Sequence, residues 1–543
     1  MPKKNDILTL EITDLTSEGA GVGKHDGYVL FVPGTAPGDV IEAHVLKADK
    51  SYGYAKISKI IKPSPMRTDV DCSVFGKCGG CLFRHIKYEN ELEIKKSWVL
   101  ENFRRIGKFD ISDIEIHSAG SPIAYRNKAQ YPASKNADGK LVFGFYASHS
   151  HRVVPCSKCF IHPYYYEIIK AAAEDFCNTY KLEPYNDETG KGIIRHLYIR
   201  DGRLSGETMI SLIINADSLP KSKIFVEKML EACPDTKSIS LIINKKRGNE
   251  ILGDKCITIY GKDTITDKLC GLDFDISPLS FYQINRDGAE LLYGMAAEYA
   301  GLGGGETLID LYCGAGTIGL SMARNVKRLI GVEIIPAAIE NAKENARKNG
   351  INNAEFICGD AGVAAVNLAE KNIKPDVLIV DPPRKGCGKE VFEATEKMMP
   401  ERIVMISCNS ATGARDAELF AKLGYTLDKL AAVDMFPRTG HVETVVLLSQ
   451  LKSTDHIKVE IDLTDDDLTP SEAKGTYDDI KKYIHEKYQV KVSSLYISQI
   501  KRKLGLPVGE SYNKPKSEDA RVPHCPQEKE KLIVEALRHF KMI

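Results

Sequence analysis

The chain has no uninterrupted apolar stretch approaching about eighteen residues, which excludes a membrane-spanning helix by the usual criterion. No apolar segment follows Met1-Pro2-Lys3-Lys4-Asn5-Asp6, as a secretory signal would require, so the protein is expected to be cytoplasmic, with no membrane partner. It also lacks net charge, since 74 basic side chains balance 74 acidic ones. That balance neither supports nor excludes a nucleic-acid partner, because such binding depends on local patches. At 543 residues, 43% hydrophobic and 27% charged, the composition is that of a soluble globular protein too long for one core. Roughly three or four domains are expected.

Residues 1–62 alternate in the manner of strands, as in Leu8-Thr9-Leu10-Glu11-Ile12 and Tyr28-Val29-Leu30-Phe31-Val32, with glycine-rich turns between them. Short strands so punctuated indicate a small OB-like β-barrel. Its Lys47, Lys50, Tyr52, Tyr54 and Lys56 interleave charge and aromatic faces, a pattern that suits nucleic acid and equally suits a solvated rim.

The fourteen cysteines, in a chain read as intracellular, argue for metal or catalytic roles rather than disulfides. Cys72, Cys78 and Cys81 lie within ten residues, with Gly79-Gly80 allowing a tight wrap, and Cys156 and Cys159 follow downstream. Thiolate ligation of an iron–sulfur cluster or of zinc fits this spacing, which chooses neither the metal nor the fourth ligand. Residues 63–275 are expected to form a central α+β domain carrying these cysteines. Its Tyr125-Arg126-Asn127-Lys128 run fits an RNA contact or a half-buried strand alike.

From 276 to 450 the pattern is that of a doubly wound, Rossmann-like α/β domain. Phe281-Tyr282-Gln283-Ile284-Asn285 introduces a helix over 290–299. The strand Leu308-Ile309-Asp310-Leu311-Tyr312 then turns through Cys313-Gly314-Ala315-Gly316 into another. Taken alone, Gly-x-Gly-x-x-Gly fits a dinucleotide enzyme about as well, but Glu333 ends the next strand roughly twenty residues on, where a ribose hydroxyl pair would be held. Asp381-Pro382-Pro383-Arg384 puts an acid and a base on a rigid strand tip. Cys408 follows the buried run Ile403-Val404-Met405-Ile406, at the sheet end where such folds bind ligands. Glu443 enters the last, very apolar strand, where a carboxylate is costly unless it is paired or functional. An acidic linker over 451–470, marked by Asp465-Asp466-Asp467, precedes a small helical tail over 471–543. Its second helix, Ser493 to Leu504, reads as a recognition helix or as a plain solvated one.

Jointly, Cys72-x5-Cys78-x2-Cys81 with Cys159, Phe281–Asn285, Asp310–Gly316, Asp381–Arg384, Ser407-Cys408-Asn409 and His441–Thr444 resemble the S-adenosylmethionine-dependent RNA (uracil-5-)-methyltransferases. The resemblance is strongest to the bacterial 23S ribosomal RNA group with an N-terminal TRAM domain. It implies a [4Fe-4S] cluster with Cys159 as the fourth ligand, and S-adenosylmethionine contacts at Gln283, Tyr312, Glu333 and Asp381. The family loop commonly has proline after its asparagine. Here that residue is Ser410, which is expected to loosen the loop.

The chemistry accounts for the residue types. C5 of uracil is a poor nucleophile until a thiolate adds to C6, which assigns Cys408 as the covalent catalyst. The C5 proton must then leave, and Glu443 is the candidate base. Asp381 and Arg384 would orient the base and cofactor, and the uridine must leave its stack. The expected partner is RNA, most of all 23S rRNA, bound by a monomer. A transfer-RNA methyltransferase is the first alternative. A non-catalytic RNA-binding or redox-sensing protein is a further one, against which Cys408 and Glu443 both being present argues, and a nicotinamide enzyme is another, in which the Asp381–Arg384 tip and the Cys408 loop have no role.

Overall fold

The structure is a computed structural model that describes residues 1–451, apart from 249 and 254, and residues 477–488, 490, 492–504 and 525–539. It comprises two compact units, Met1–Lys452 and Ser453–Ile543. Among the described residues no helix is long and apolar enough to cross a membrane.

The first unit begins with a closed five-stranded barrel made of Ile7–Leu15, Ala20–His25, Tyr28–Pro33, Tyr52–Lys62 and Val40–Ala48, in that order around the ring. Alternate residues point inward, as the two-residue period of a strand requires. Leu10, Ile12, Leu30, Val32, Ile41, Ala43, Val45 and Ala55 are fully buried and fill it. The barrel is anchored rather than tethered. Leu15 and Ala36 join Phe83, Ile86 and Ile94 in a shared core, and the Trp98 indole donates to the Leu15 carbonyl at 2.7 Å.

The segment expected as one central domain is split. Its main part is a seven-stranded sheet running from Lys255–Gly261 to Val153–Pro155, with helices Tyr165–Thr179 and Ser222–Ala232 packed on it. Helix Tyr88–Arg105 and the four-residue strand Glu115–Ser118 leave it for the last sheet of the unit, where that strand pairs in parallel with Tyr425–Asp434. Lys95 fixes the helix there. Fully buried, its ammonium bonds Glu91 at 2.8 Å and Asp434 at 2.9 Å.

That last sheet has eight strands in the order Ala354–Cys358, Arg328–Glu333, Thr307–Leu311, Val377–Val380, Arg402–Ser407, Glu443–Gln450, Tyr425–Asp434 and Glu115–Ser118. The first five are parallel, and the strand order reverses between Thr307–Leu311 and Val377–Val380. The near-continuous apolar runs of the four inner ones, Arg328–Glu333, Thr307–Leu311, Val377–Val380 and Arg402–Ser407, are buried on both faces by helices, as parallel strands need, while the edge strand Ala354–Cys358 is only partly covered. The helix expected over 290–299 extends over Arg286–Ala300, because the Asn285 side chain caps it by accepting from the Gly288 amide at 3.0 Å.

In the second unit the helices Tyr477–Tyr488, Ser494–Lys503 and Gln527–His539 enclose Ile480, Ile484, Ile497, Ile500, Ile533 and Leu537. Ser493 caps the second of them. The acidic run Asp465-Asp466-Asp467 lies outside the described residues.

Candidate active site

Strand register gathers the site at one end of the eight-stranded sheet. Leu311 is level with Val332 and with Val380, so Tyr312, Glu333 and Asp381 follow one residue beyond on three adjacent strands. Ser407 pairs with Thr444 in the antiparallel pair, which brings Cys408 level with Glu443. These positions lie beside the strand-order reversal, where open α/β sheets bind their ligands.

The glycine-rich turn is shaped for that end. Tyr312, Gly314 and Gly316 have φ of 67°, 55° and 80°, a left-handed path that folds the chain back into helix Thr317–Met322. Glu333 clamps the turn from the next strand, accepting from the Gly314 amide at 3.1 Å and the Ile335 amide at 2.9 Å. Asp310 accepts from the Gly319 amide at 2.8 Å, and burial pushes its carboxyl up to about 7. Its other oxygen is buried with no hydrogen-bond partner. The Gln283 carbonyl accepts from Asn127 at 2.9 Å, and Gln283 lies near the buried Tyr293 hydroxyl, which is 3.3 Å from the Thr317 hydroxyl and within electrostatic reach of Asp381.

The chemistry-bearing groups are close enough to perturb one another. Glu443 is buried, and desolvation with the nearby Asp381 carboxyl pushes it up to about 8, against the lowering effect of Arg384. Desolvation alone raises Asp381 to about 7. The Cys408 thiol is raised by burial, then by Glu443 and Asp381, while the Arg384 guanidinium lowers it. Arg384 in turn lies 3.4 Å from the His441 ring. The Asp381–Gly388 loop is strapped to helix Ser410–Lys422 by three bonds: the Cys387 amide to Asp416 at 2.7 Å, Arg415 to the Lys385 carbonyl at 2.9 Å, and the Thr412 hydroxyl to the Arg384 carbonyl at 3.2 Å.

The tRNA (Uracil-5-)-methyltransferase family matches residues 204–451, and the TRAM domain matches residues 3–58. An RNA methyltransferase of Clostridium acetobutylicum, itself named uncharacterized, is 41% identical over 452 residues, covering 83% of this chain and 98% of the relative. A second, of Halalkalibacterium halodurans, is 40% identical over 446 residues, covering 82% and 97%. The chain belongs to the S-adenosylmethionine-dependent RNA (uracil-5-)-methyltransferase family. Among solved structures, Pyrococcus abyssi tRNA (uracil-54, C5)-methyltransferase in complex with S-adenosyl-L-homocysteine matches with a TM-score of 0.66 at 27% identity. It covers 81% of this chain and 100% of that one.

In this methyltransferase a cavity of about 1080 Å³ opens over Cys408. Arg384, Asn409 and His441 line it beside Cys408, Ser17 and Glu18 come from the barrel, and Gly79 and Gly80 from the cysteine loop. One whole wall escaped the sequence reading. Trp98, Glu101, Asn102 and Arg105 line it from helix Tyr88–Arg105, whose Val99 and Phe103 are buried on the opposite side. The spacing i, i+3, i+4, i+7 of that polar face was the available signal.

The cysteine loop of the methyltransferase brings five thiols within electrostatic reach of one another. Burial raises Cys78, with Cys156 and Cys72 adding to it, and burial pushes Cys81 up to about 11, opposed by Arg84. Burial also raises Cys159, which feels Cys156, Cys81 and Cys78. The Cys159 sulfur lies 3.2 Å from His162 Nδ1, and the Cys156 sulfur donates to the Lys158 carbonyl at 3.1 Å. Among the described residues, no three His, Cys, Asp or Glu side chains are drawn together tightly enough to hold a metal ion.

Proposed function

We propose that this enzyme methylates C5 of a uridine in 23S ribosomal RNA through a covalent adduct between Cys408 and C6. The observation that carries the reading is Cys408 and Glu443, each one residue beyond the terminal Ser407–Thr444 pair of two antiparallel strands, beside Asp381 and Arg384. Bound S-adenosylmethionine supplies an electrophilic methyl group. Gln283, Tyr312, Glu333 and Asp381 would hold it, and the fit is supported by the unpartnered Asp310 oxygen and by free lone pairs on the Glu333 carboxylate.

The residues divide the work. Arg384 favours the Cys408 thiolate, which adds to C6 and turns C5 into an enolate-like nucleophile. After C5 is methylated, Glu443 takes its proton. A carboxylate whose conjugate acid titrates near 8 is a far stronger base than an exposed glutamate. The electron pair released at C5 re-forms the double bond and expels the Cys408 sulfur. A cavity much larger than one base supports a looped or single-stranded target with its uridine turned out of the stack.

The family resemblance extends the reading to a [4Fe-4S] cluster on Cys72, Cys78, Cys81 and Cys159. Five neighbouring thiols, with Arg84 positioned to offset thiolate charge, are a donor set suited to it. Such a cluster is larger than a single ion, so its ligands stand further apart than those of a mononuclear site. Transfer RNA is the second reading of the substrate, favoured by what the Pyrococcus abyssi enzyme is named for. Mapping 5-methyluridine in ribosomal and transfer RNA from a strain lacking the gene separates them: loss from 23S rRNA alone is expected, and loss from transfer RNA alone overturns the ribosomal assignment.

A further inference from the structure

Ser410, the residue standing where the family loop commonly carries proline, is held by a partner that the sequence did not suggest. Asn409 is the N-cap of helix Ser410–Lys422, its side chain accepting from the Ala411 amide at 3.0 Å, and Ser410 is the first helical residue. Proline suits that position because its missing N–H is not needed there and its ring presets φ. Serine brings neither property. Its side chain is nevertheless buried, and its Oγ accepts from Asn102 Nδ2 at 2.7 Å.

Asn102 cannot follow a moving loop. It sits in the last turn of helix Tyr88–Arg105, and its carbonyl accepts from the Ile106 amide at 2.8 Å. Its neighbour Phe103 is fully buried in the core that also holds Ala414, Ala417 and Phe420 of the helix after Ser410. The bond therefore joins two elements already packed together, at the rim of the cavity that Asn102 and Cys408 both line.

We propose that Asn102 is a positioning residue for Cys408, pinning the first turn behind the nucleophile and doing in this chain what the proline ring would otherwise do. The inference rests on the reading of Cys408 as the nucleophile. Cys408 precedes Ser410 by two residues, so a first turn free to shift would carry the sulfur with it. Misplacement of a reacting atom costs turnover more than binding.

The test is a cycle in the full-length enzyme with Asn102→Ala, Ser410→Ala, Ser410→Pro and Asn102→Ala/Ser410→Pro, read as kcat and KM for the target RNA. Asn102→Ala and Ser410→Ala should each lower kcat about fivefold, the effect of one ordinary hydrogen bond, with KM and S-adenosylmethionine affinity within about twofold. Ser410→Pro should stay near wild type, and adding Asn102→Ala to it should change nothing further. An equal loss from Asn102→Ala in both backgrounds would mean a general structural role and overturn the proposal, as would a change in KM alone or an unchanged kcat. The two alanine variants remove the bond from opposite sides, so misfolding of one leaves the other to decide. Methylation surviving Cys408→Ala would instead sink the nucleophile reading, which keeps the two failures apart.

Discussion

Cys408, the residue just past strand Arg402–Ser407, lies next to Glu443, the first residue of strand Glu443–Gln450, because Ser407 pairs with Thr444 and each site residue is one step further toward the same sheet end. Burial and then the Glu443 carboxyl raise the Cys408 thiol, and burial with Asp381 raises the carboxyl to about 8. On the proposed mechanism a nucleophile and a base so placed would act on adjacent atoms of one ring. Glu443→Gln keeps the shape and removes the base, so the methylated adduct should form and fail to resolve. A protein–RNA species surviving denaturation is expected, with turnover down by about 10²–10⁴-fold. Normal turnover without such a species would remove Glu443 from the reaction.

Cys408→Ala should abolish methylation while leaving S-adenosylmethionine binding intact, because only the addition to C6 is lost. Equilibrium titration with the cofactor, beside a methyl-transfer assay, checks both halves. In the wild-type enzyme the resolution step should quicken as pH rises through about 8, where Glu443 loses its proton. A flat profile for decay of the adduct across that range would contradict the assignment.

Stability should depend on pH through the same buried carboxyls. Asp310 and Asp381 titrate at about 7 and Glu443 at about 8, against ordinary values of 3.8, 3.8 and 4.5. Between those limits the folded chain holds protons that the unfolded chain has released, so stability falls as pH rises. Glu443→Gln removes one of these sites. Its melting temperature should therefore decline less than that of the wild type between about pH 6 and about pH 9. Parallel melting curves for the two proteins would show that Glu443 carries no raised pKa.

Much of this site was legible because its residues end apolar runs. Val377–Val380 and Ile403–Ile406 read as buried strands, and a residue just past such a strand must lie at the mouth of the sheet. The part that was not legible comes from far away in sequence. Glu115–Ser118 is a four-residue edge strand with mixed polarity, and nothing local says that it pairs with Tyr425–Asp434. Helix Tyr88–Arg105 shows its polar face plainly, but which cavity that face lines depends on the Lys95–Asp434 ion pair, which no local pattern encodes. The partner of Ser410 was hidden for a related reason, since Asn102 stands 308 residues away.

The cysteine loop yields a test of its own. The purified protein should be brown and contain iron and sulfide, and Cys72→Ser, Cys78→Ser, Cys81→Ser and Cys159→Ser should each lose them, because four thiolates are the usual shell of such a cluster. Cys156→Ser should keep the colour, its sulfur being engaged with the Lys158 carbonyl. Stoichiometric zinc without iron would replace the metal. Loss of the cluster in Cys156→Ser and its retention in Cys159→Ser would exchange the fourth ligand.

The barrel invites a test by truncation, but the fold argues against one. Removing residues 1–62 would strip Leu15 and Ala36 from the core they share with Phe83, Ile86 and Ile94, and would leave the Trp98 indole without its acceptor. Point changes on the outer face are cleaner. Along Tyr52–Lys62 the residues Tyr52, Tyr54 and Lys56 alternate outward while Gly53 and Ala55 point in. The two tyrosines are 40% and 43% exposed and gather with Phe31 at centroid separations of 5.8–5.9 Å, which leaves aromatic faces open to a base. If this face stacks on RNA, Tyr54→Ala should weaken RNA binding by about 1–3 kcal/mol, the usual worth of one stacked base. Lys56→Gln should do so less, while lowering the slope of log affinity against log salt by about 0.7–0.9 for each phosphate it no longer neutralises. S-adenosylmethionine affinity should stay unchanged in both variants, because the barrel contributes nothing to the row of strand ends that would hold the cofactor. RNA affinity measured over a salt series decides it, and an unchanged affinity and slope in both variants would pass the RNA-holding role to the cavity wall formed by Trp98 and Arg105.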